Sequence, residues 1–176
     1  MKVLAISSSP RVGGNSDILC DRFLEGAEKA GHETEKINLR DRKVVPCDAC
    51  YGCQKIKKCV KKDDMEEIIN KLIEADIILL ATPVYFYSMS GQMKIFIDRC
   101  LPRYREIRDK KFYYIITAAD PQHSAADETV MGLRGYLRCL PGAEEEGIIY
   151  GTGAWGKGDI YQHPAYEKAY DMGIHL

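Results

Sequence analysis

The sequence has no apolar run long enough to cross a membrane. Its longest, Ile77–Ala81 with its flanks, falls far short of the ~20 residues a spanning helix needs. An excess of charge of one sign is also missing. The formal net charge is -1, so no global electrostatic drive toward nucleic acid or a membrane surface is expected. The short basic run Lys57, Lys58, Lys61 and Lys62 has no aromatic stacking platform around it and reads as a solvated loop. The opening MKVLAISSSP lacks a signal-peptide core, because Val3–Ile6 is too short and Arg11 follows closely. A cytoplasmic location is the expectation. Internal repeats and low-complexity linkers are absent as well. At 176 residues, 45% hydrophobic and 29% charged, the chain reads as one domain, 1–176, able to bury a core without disulfides. Seven cysteines in a reducing compartment then point to thiols, a metal site or redox chemistry.

What is present alternates between strand and helix signals. Lys2–Ser7, Glu33–Leu39, Ile77–Ala81, Lys111–Thr117 and Gly147–Tyr150 read as strands. Asn15–Ala30 repeats apolar residues at helical spacing and stops at Gly31. Further helices are predicted from Asp63 or Asp64 to about Ala75, and over Gly91–Leu101, Thr129–Leu140 and Pro164–Met172. Pro83 is expected to break the third strand. Five strands with crossover segments give an α/β doubly wound parallel sheet. Ligands bind such sheets at the carboxyl ends of the strands. An irregular cysteine-rich loop occupies about 44–62.

The segment Ser7–Ser16 joins the first strand to the first helix and is rich in hydroxyls, glycines and backbone donors. A helix amino terminus carries unpaired N–H groups and partial positive charge, which favour phosphate. Ser9, Asn15 and Ser16 are candidate side-chain donors, and Arg11 adds charge. No Lys follows the glycines, so this is not a Walker loop, and the G-x-G-x-x-G spacing is absent too.

These residues carry a resemblance. The S-x-P-R-x-x-G-N-S pattern resembles the FMN loop of the flavodoxin-like NADPH-dependent FMN reductases and their relatives, the iron–sulfur flavoproteins. Thr82–Gly91 resembles the second flavin loop of that family. Lys94, Phe96, Asp98 and Arg99 match the K-x-F-x-D-R of the helix after it. Gly151–Trp155 and Gly158–Ile160 are similar to its C-terminal section. The resemblance implies a flavodoxin-like sheet of strand order 2-1-3-4-5. It also implies FMN held by Ser8, Ser9, Arg11, Asn15 and Ser16 at the phosphate and by Pro83, Val84, Tyr85, Phe86, Tyr87 and Ser88 along the ring. Thr117 and Ala118 would complete the site, with alanines where many relatives carry glycines. The donor would be NAD(P)H or ferredoxin, and the acceptor a small molecule or protein. Asp120 and His123 read as surface residues, and no catalytic acid or base is assigned.

Cys47, Cys50, Cys53 and Cys59 have the spacing C-x2-C-x2-C-x5-C. It is close to the compact run that ligates a [4Fe–4S] cluster, with a longer last gap and Val60 in place of proline. The iron–sulfur flavoproteins use such a set as an electron relay. Free redox thiols, zinc or a disulfide remain open at this stage, as does a non-redox anion- or zinc-binding module for the whole chain. Cys20, Cys100 and Cys139 are expected in helix cores. Tyr150, Trp155, Tyr161, Tyr166 and Tyr170 exceed what a small core needs, so a homodimer or homotetramer is expected.

Overall fold

The computed structural model describes residues 1–176. Its strands and helices follow in the order β1 (Lys2–Ser7), α1 (Asn15–Lys29), β2 (Glu33–Asn38), α2 (Cys53–Ile56), α3 (Met65–Glu74), β3 (Ile77–Tyr85), β4 (Ser88–Met89), α4 (Gly91–Arg99), β5 (Lys111–Ala118), α5 (Asp127–Leu137), β6 (Glu144–Thr152) and α6 (Ala165–Ile174). The main sheet is parallel in the order β2-β1-β3-β5-β6, and β4 pairs antiparallel with the end of β3. Setting the two-residue β4 aside, this is the expected 2-1-3-4-5 order. No helix is long and apolar enough to cross a membrane.

The sheet is buried on both faces, which explains the unbroken apolar runs of its central strands. On one face α1 and α6 cover Val3, Ala5, Ile77, Leu79 and Ile115 with Leu19, Phe23, Ala27 and Ala169. On the other, α3, α4 and α5 cover Leu4, Ile6, Ile78, Leu80 and Tyr114 with Ile68, Leu72, Phe96 and Leu133. Alternate residues of each strand feed opposite layers, as the period of two requires. Helices α1 and α6 approach closely because Gly26 and Gly173 face each other's backbone; a Cβ on either would collide with the other helix.

Two expectations need correction. Pro83 does not end β3, which runs on to Tyr85 with Pro83 opposite Thr117 of β5. The Ser8 amide donates to the Ala81 carbonyl, so Ala81 faces the β1 side, and by alternation so does Pro83. Pairing with β1 stops at Ser7–Ala81, so the missing N–H of Pro83 removes no ladder bond. Cys139 is not a core residue. Helix α5 ends at Leu137, and Cys139 is exposed just beyond it, whereas Cys20 and Cys100 are fully buried. Burial pushes the Cys100 thiol up to about 12 and the Cys20 thiol higher still, so neither is a nucleophile near neutral pH.

Candidate functional site

The chain leaves β1 into a hydroxyl-rich loop that ends at the amino terminus of α1. Gly13 takes a left-handed φ of 63°, which lets the loop curl, and Gly14 lies so close to Ser9 that a Cβ there would meet the Ser9 hydroxyl at 2.7 Å. The Ser9 hydroxyl both accepts from the Arg11 amide and donates to the Arg11 carbonyl, each at 3.2 Å, which sets the turn. First-turn amides of α1 have no carbonyl one turn back to bond. This terminus borders a cleft of about 210 Å³ that Ser9, Arg11, Gly14, Asn15 and Ser16 share with three other segments. Those segments are Pro83–Tyr85 at the end of β3, Thr117–Ala119 at the end of β5, and Ala154–Trp155 after β6. The cleft therefore lies at the carboxyl edge of the sheet, where β1 and β3 lead to helices on opposite faces.

Behind the loop sits a group that sequence reasoning missed. Asp17 is buried, and its carboxylate accepts from the Gly13 amide at 3.0 Å and from Lys36 Nζ at 2.8 Å; the Arg40 guanidinium stands 3.2 Å away. Burial alone would raise the Asp17 pKa. Lys36, the Gly13 amide and Arg40 overturn that and hold it below the usual carboxylate value. The only hint in the sequence was an acidic residue in the first turn of a helix, which is common for dipole reasons alone. Above the loop, the Lys157 side chain lies over Gly13, which adds a positive charge to the loop that carries Arg11.

Of the thirteen residues expected to hold the cofactor, nine line this cleft: Ser9, Arg11, Asn15, Ser16, Pro83, Val84, Tyr85, Thr117 and Ala118. Ser8 does not. It is fully buried, its hydroxyl donates to the Ala81 carbonyl at 3.0 Å and accepts from Ser90 at 2.9 Å, and Ser90 in turn caps α4. Ser8 thus ties β1, β3 and α4 together beneath the loop. Asn15 lines the cleft, but its side chain is committed elsewhere. Its amide donates to the carbonyls of Ala154 and Gly156 at 3.1 and 2.8 Å, and its oxygen accepts from the Gly158 amide at 3.0 Å. Asn15 pins the loop after β6 onto the loop after β1, and this brings Trp155, 79% exposed, to the cleft.

Phe86, Tyr87 and Ser88 also lie outside the lining. They belong to the β3–β4 hairpin, in which Tyr85 pairs with Ser88. The two tip residues, Phe86 (φ 50°) and Tyr87 (φ 59°), both adopt the left-handed conformation of a type I′ turn. Such turns favour Asn and Gly, so two aromatics here hold backbone strain of roughly 1–2 kcal/mol each. The strained tip stands next to the cleft with Phe86 wholly exposed. Asp120 and His123 make local contacts: Asp120 accepts from the Gln122 amide, and His123 stacks on Tyr150 at 4.8 Å. Tyr166 and Tyr170, expected at an interface, are covered within the chain by Arg22, 4.8 and 4.2 Å from their ring centres.

The four cysteines of the 44–62 loop open onto one small hollow, together with Lys61, Arg99 and Leu101. Their spacers turn sharply. Ala49 between Cys47 and Cys50, and Tyr51 between Cys50 and Cys53, both have positive φ, at 53° and 55°. Cys53 starts the single turn α2, which Lys57 ends at φ 51°. No three His, Cys, Asp or Glu side chains close round a single-ion centre. Lys61 is paired with Asp48 at 2.9 Å, so part of the basic run is spent inside the loop. A larger open hollow of about 1140 Å³ lies between α4 and α5, with Cys47 and Cys139 at its wall. No helix amino terminus opens into it.

Comparison with known proteins agrees with this layout. A family model described as NADPH-dependent FMN reductase matches residues 1–143. An iron–sulfur flavoprotein of Methanocaldococcus jannaschii is 44% identical over 102 residues, 58% of this chain and 53% of that protein. The chain thus spans about half the length of that relative. An iron–sulfur flavoprotein of Archaeoglobus fulgidus is 33% identical over 172 residues, covering 88% of this chain and 84% of the relative. Among solved structures, an FMN-dependent NADH-azoreductase from Bacillus anthracis, in complex with FMN, superposes with a TM-score of 0.78 at 18% identity, covering 100% of this chain and 99% of that one. At that identity the superposition speaks for the fold alone. The family match spans the phosphate-type loop, the cysteine loop and the loops after β3 and β5, and the chain belongs to the NADPH-dependent FMN reductase family.

Proposed function

We propose that the chain binds FMN in the cleft at the carboxyl ends of β1, β3 and β5, and carries electrons from NAD(P)H or a ferredoxin to a small acceptor or a protein. The observation that carries this reading is the convergence of the α1 amino terminus with three other loop segments on one cleft. Free first-turn amides, Ser16 and Arg11 suit a phosphate dianion. Pro83–Tyr85 and Trp155 suit the faces of a planar ring. The group would supply hydride and one-electron chemistry, and the chain's part is to seat it and shape its surroundings. Asn15 orients the Trp155 loop, and Asp17 fixes the Gly13 turn from behind.

The cleft is smaller than the roughly 300–1,000 Å³ usual for a bound ligand, so one chain would cover FMN only in part. The exposed Phe86, Tyr87 and Trp155 at its rim suit closure by a second copy, as a homodimer or homotetramer.

A second reading concerns the cysteine loop. Four soft thiols line one hollow, and left-handed residues in both x2 spacers turn the chain back between them. Cys47, Cys50, Cys53 and Cys59 would hold a [4Fe–4S] cluster able to relay electrons to or from the flavin. Anaerobic purification with a visible spectrum and iron and sulfide analysis tests both readings. Flavin bands with matching iron and sulfide support the relay. Flavin without iron restricts the protein to flavin chemistry alone, and absence of flavin, even after FMN is added, overturns the main reading.

A further inference from the structure

Arg99 sits where an apolar residue would be expected. Helix α4 buries Met93 and Phe96, and Arg99, three residues on, falls on the same face with its side chain 1% exposed. A buried charge persists only when it is paired and hydrogen-bonded. The partner is Asp63, at the far end of the cysteine loop. Two guanidinium nitrogens fork onto its two carboxylate oxygens at 2.7 and 2.8 Å. One of them also donates to the Val45 carbonyl, at the near end of the loop.

The same carboxylate accepts from the Val45 amide at 3.0 Å and from the Met65 amide at 3.3 Å. Val45 is therefore gripped by both its N–H and its C=O. A second tie lies one step outside: the Lys43 amide donates to the Asp64 carboxylate at 2.7 Å, and the Asp64 amide returns a bond to the Lys43 carbonyl at 3.0 Å. Residues 46–62 leave and re-enter the fold through this neck.

Arg99 also reaches the cysteines. It shares the wall of their hollow, and the Cys59 thiol lies beside its guanidinium. Its remaining nitrogen, Nε, is buried without a partner. An unmet buried donor carries the desolvation cost of that group, and here it accompanies a fixed positive charge at a hollow lined by four thiols. Such a wall suits an anionic, sulfur-rich occupant, because hydrogen bonds to ligand sulfurs and nearby charge set the potential of an iron–sulfur centre.

We propose that Arg99 is a positioning residue for the cysteine loop: with Asp63 it latches residues 46–62 at their neck, and it sets a positive charge in the wall of the hollow that the four cysteines line, for an iron–sulfur cluster. The identity of the occupant rests on the cluster reading above. The latch is a property of the chain without metal.

The test compares wild type, Arg99→Lys and Arg99→Met, each loaded with FMN. In metal-free protein, trypsin cleavage within the loop at Lys55, Lys57 and Lys58 is followed by mass spectrometry. The latch predicts cleavage at least ~10-fold faster in Arg99→Met, as opening of a local unit governs proteolysis. Arg99→Lys, which keeps the charge but loses the fork, should fall between, with FMN content the same in all three. Equal cleavage rates overturn the latch. If Arg99→Met fails to fold, as circular dichroism would reveal, Arg99→Lys against wild type decides the point alone. After anaerobic reconstitution, the cluster potential of Arg99→Met should lie below wild type, because losing a positive charge disfavours the reduced centre. An unchanged potential overturns the electrostatic role. Failure of wild type to take up iron removes the cluster and that role together, while the cleavage rates still decide the latch.

Discussion

Asp17 makes no wall of the cleft, yet it holds the Gly13 turn that shapes it. Its carboxyl titrates below the usual value in the folded chain. The unfolded chain, with an Asp pKa near ~3.9, therefore binds the proton more readily. The stabilisation from Asp17 is complete above that value and is lost as pH falls through the lower folded value. Urea unfolding across pH should show a steep loss of stability below about pH 4, and Asp17→Asn should flatten its own share of that slope. At neutral pH the same variant leaves Lys36 and Arg40 without their buried partner. A cost of about 3 kcal/mol and a fall of roughly tenfold or more in FMN affinity, about 1.4 kcal/mol, are expected from denaturation and flavin titration. Phe86 and Tyr87 predict the opposite sign for stability. Replacing them together by Asn and Gly suits the turn and should gain about 2 kcal/mol. For a chain of this length that is a rise of roughly 4–8 °C in Tm, measurable by calorimetry. The residue scale was also the least legible. Ser8 and Asn15 have the chemistry of phosphate donors, but only the tertiary structure reveals that Ala81, Ser90, Ala154, Gly156 and Gly158 already use their side chains.

At the scale of elements, the strands and helices were largely readable because their burial is so regular. The apolar run Ile77–Ala81 is covered on both faces, and α3 buries Met65, Ile68, Ile69 and Leu72 at helical spacing. Misreadings arose where a local rule met an edge. Pro83 is tolerated because β1 has already ended beside it. β4 is too short to show any periodicity. Cys139 lies past the end of α5, in a turn closed by the Cys139 and Leu140 amides on the Tyr136 and Leu137 carbonyls, so the helix stops before the Pro141-Gly142 pair that marks its end in the sequence. The contact between α1 and α6 gives the clearest test at this scale. Gly173→Ala places a methyl group against the Phe23 carbonyl of α1. Overpacking of this kind costs about 1–3 kcal/mol, and a Tm drop of roughly 2–12 °C should follow. No change in Tm would mean the two helices are free to separate.

At the scale of the whole molecule, one sheet edge gathers the cleft, the strained aromatic hairpin and Trp155. The parallel order β2-β1-β3-β5-β6 makes this possible, because the loops after β1, β3, β5 and β6 all emerge on the same side. That convergence was expected from the alternating pattern, while the Asn15 bridge that brings in Trp155 was not. The chain has a single tryptophan, so Trp155 reports on the cleft without interference. The most direct measurement is titration of the flavin-free protein with FMN, following flavin and Trp155 fluorescence together. The account predicts that both are quenched and saturate at one FMN per chain. Flavin binding that leaves Trp155 fluorescence unchanged, or no binding at all, would contradict it.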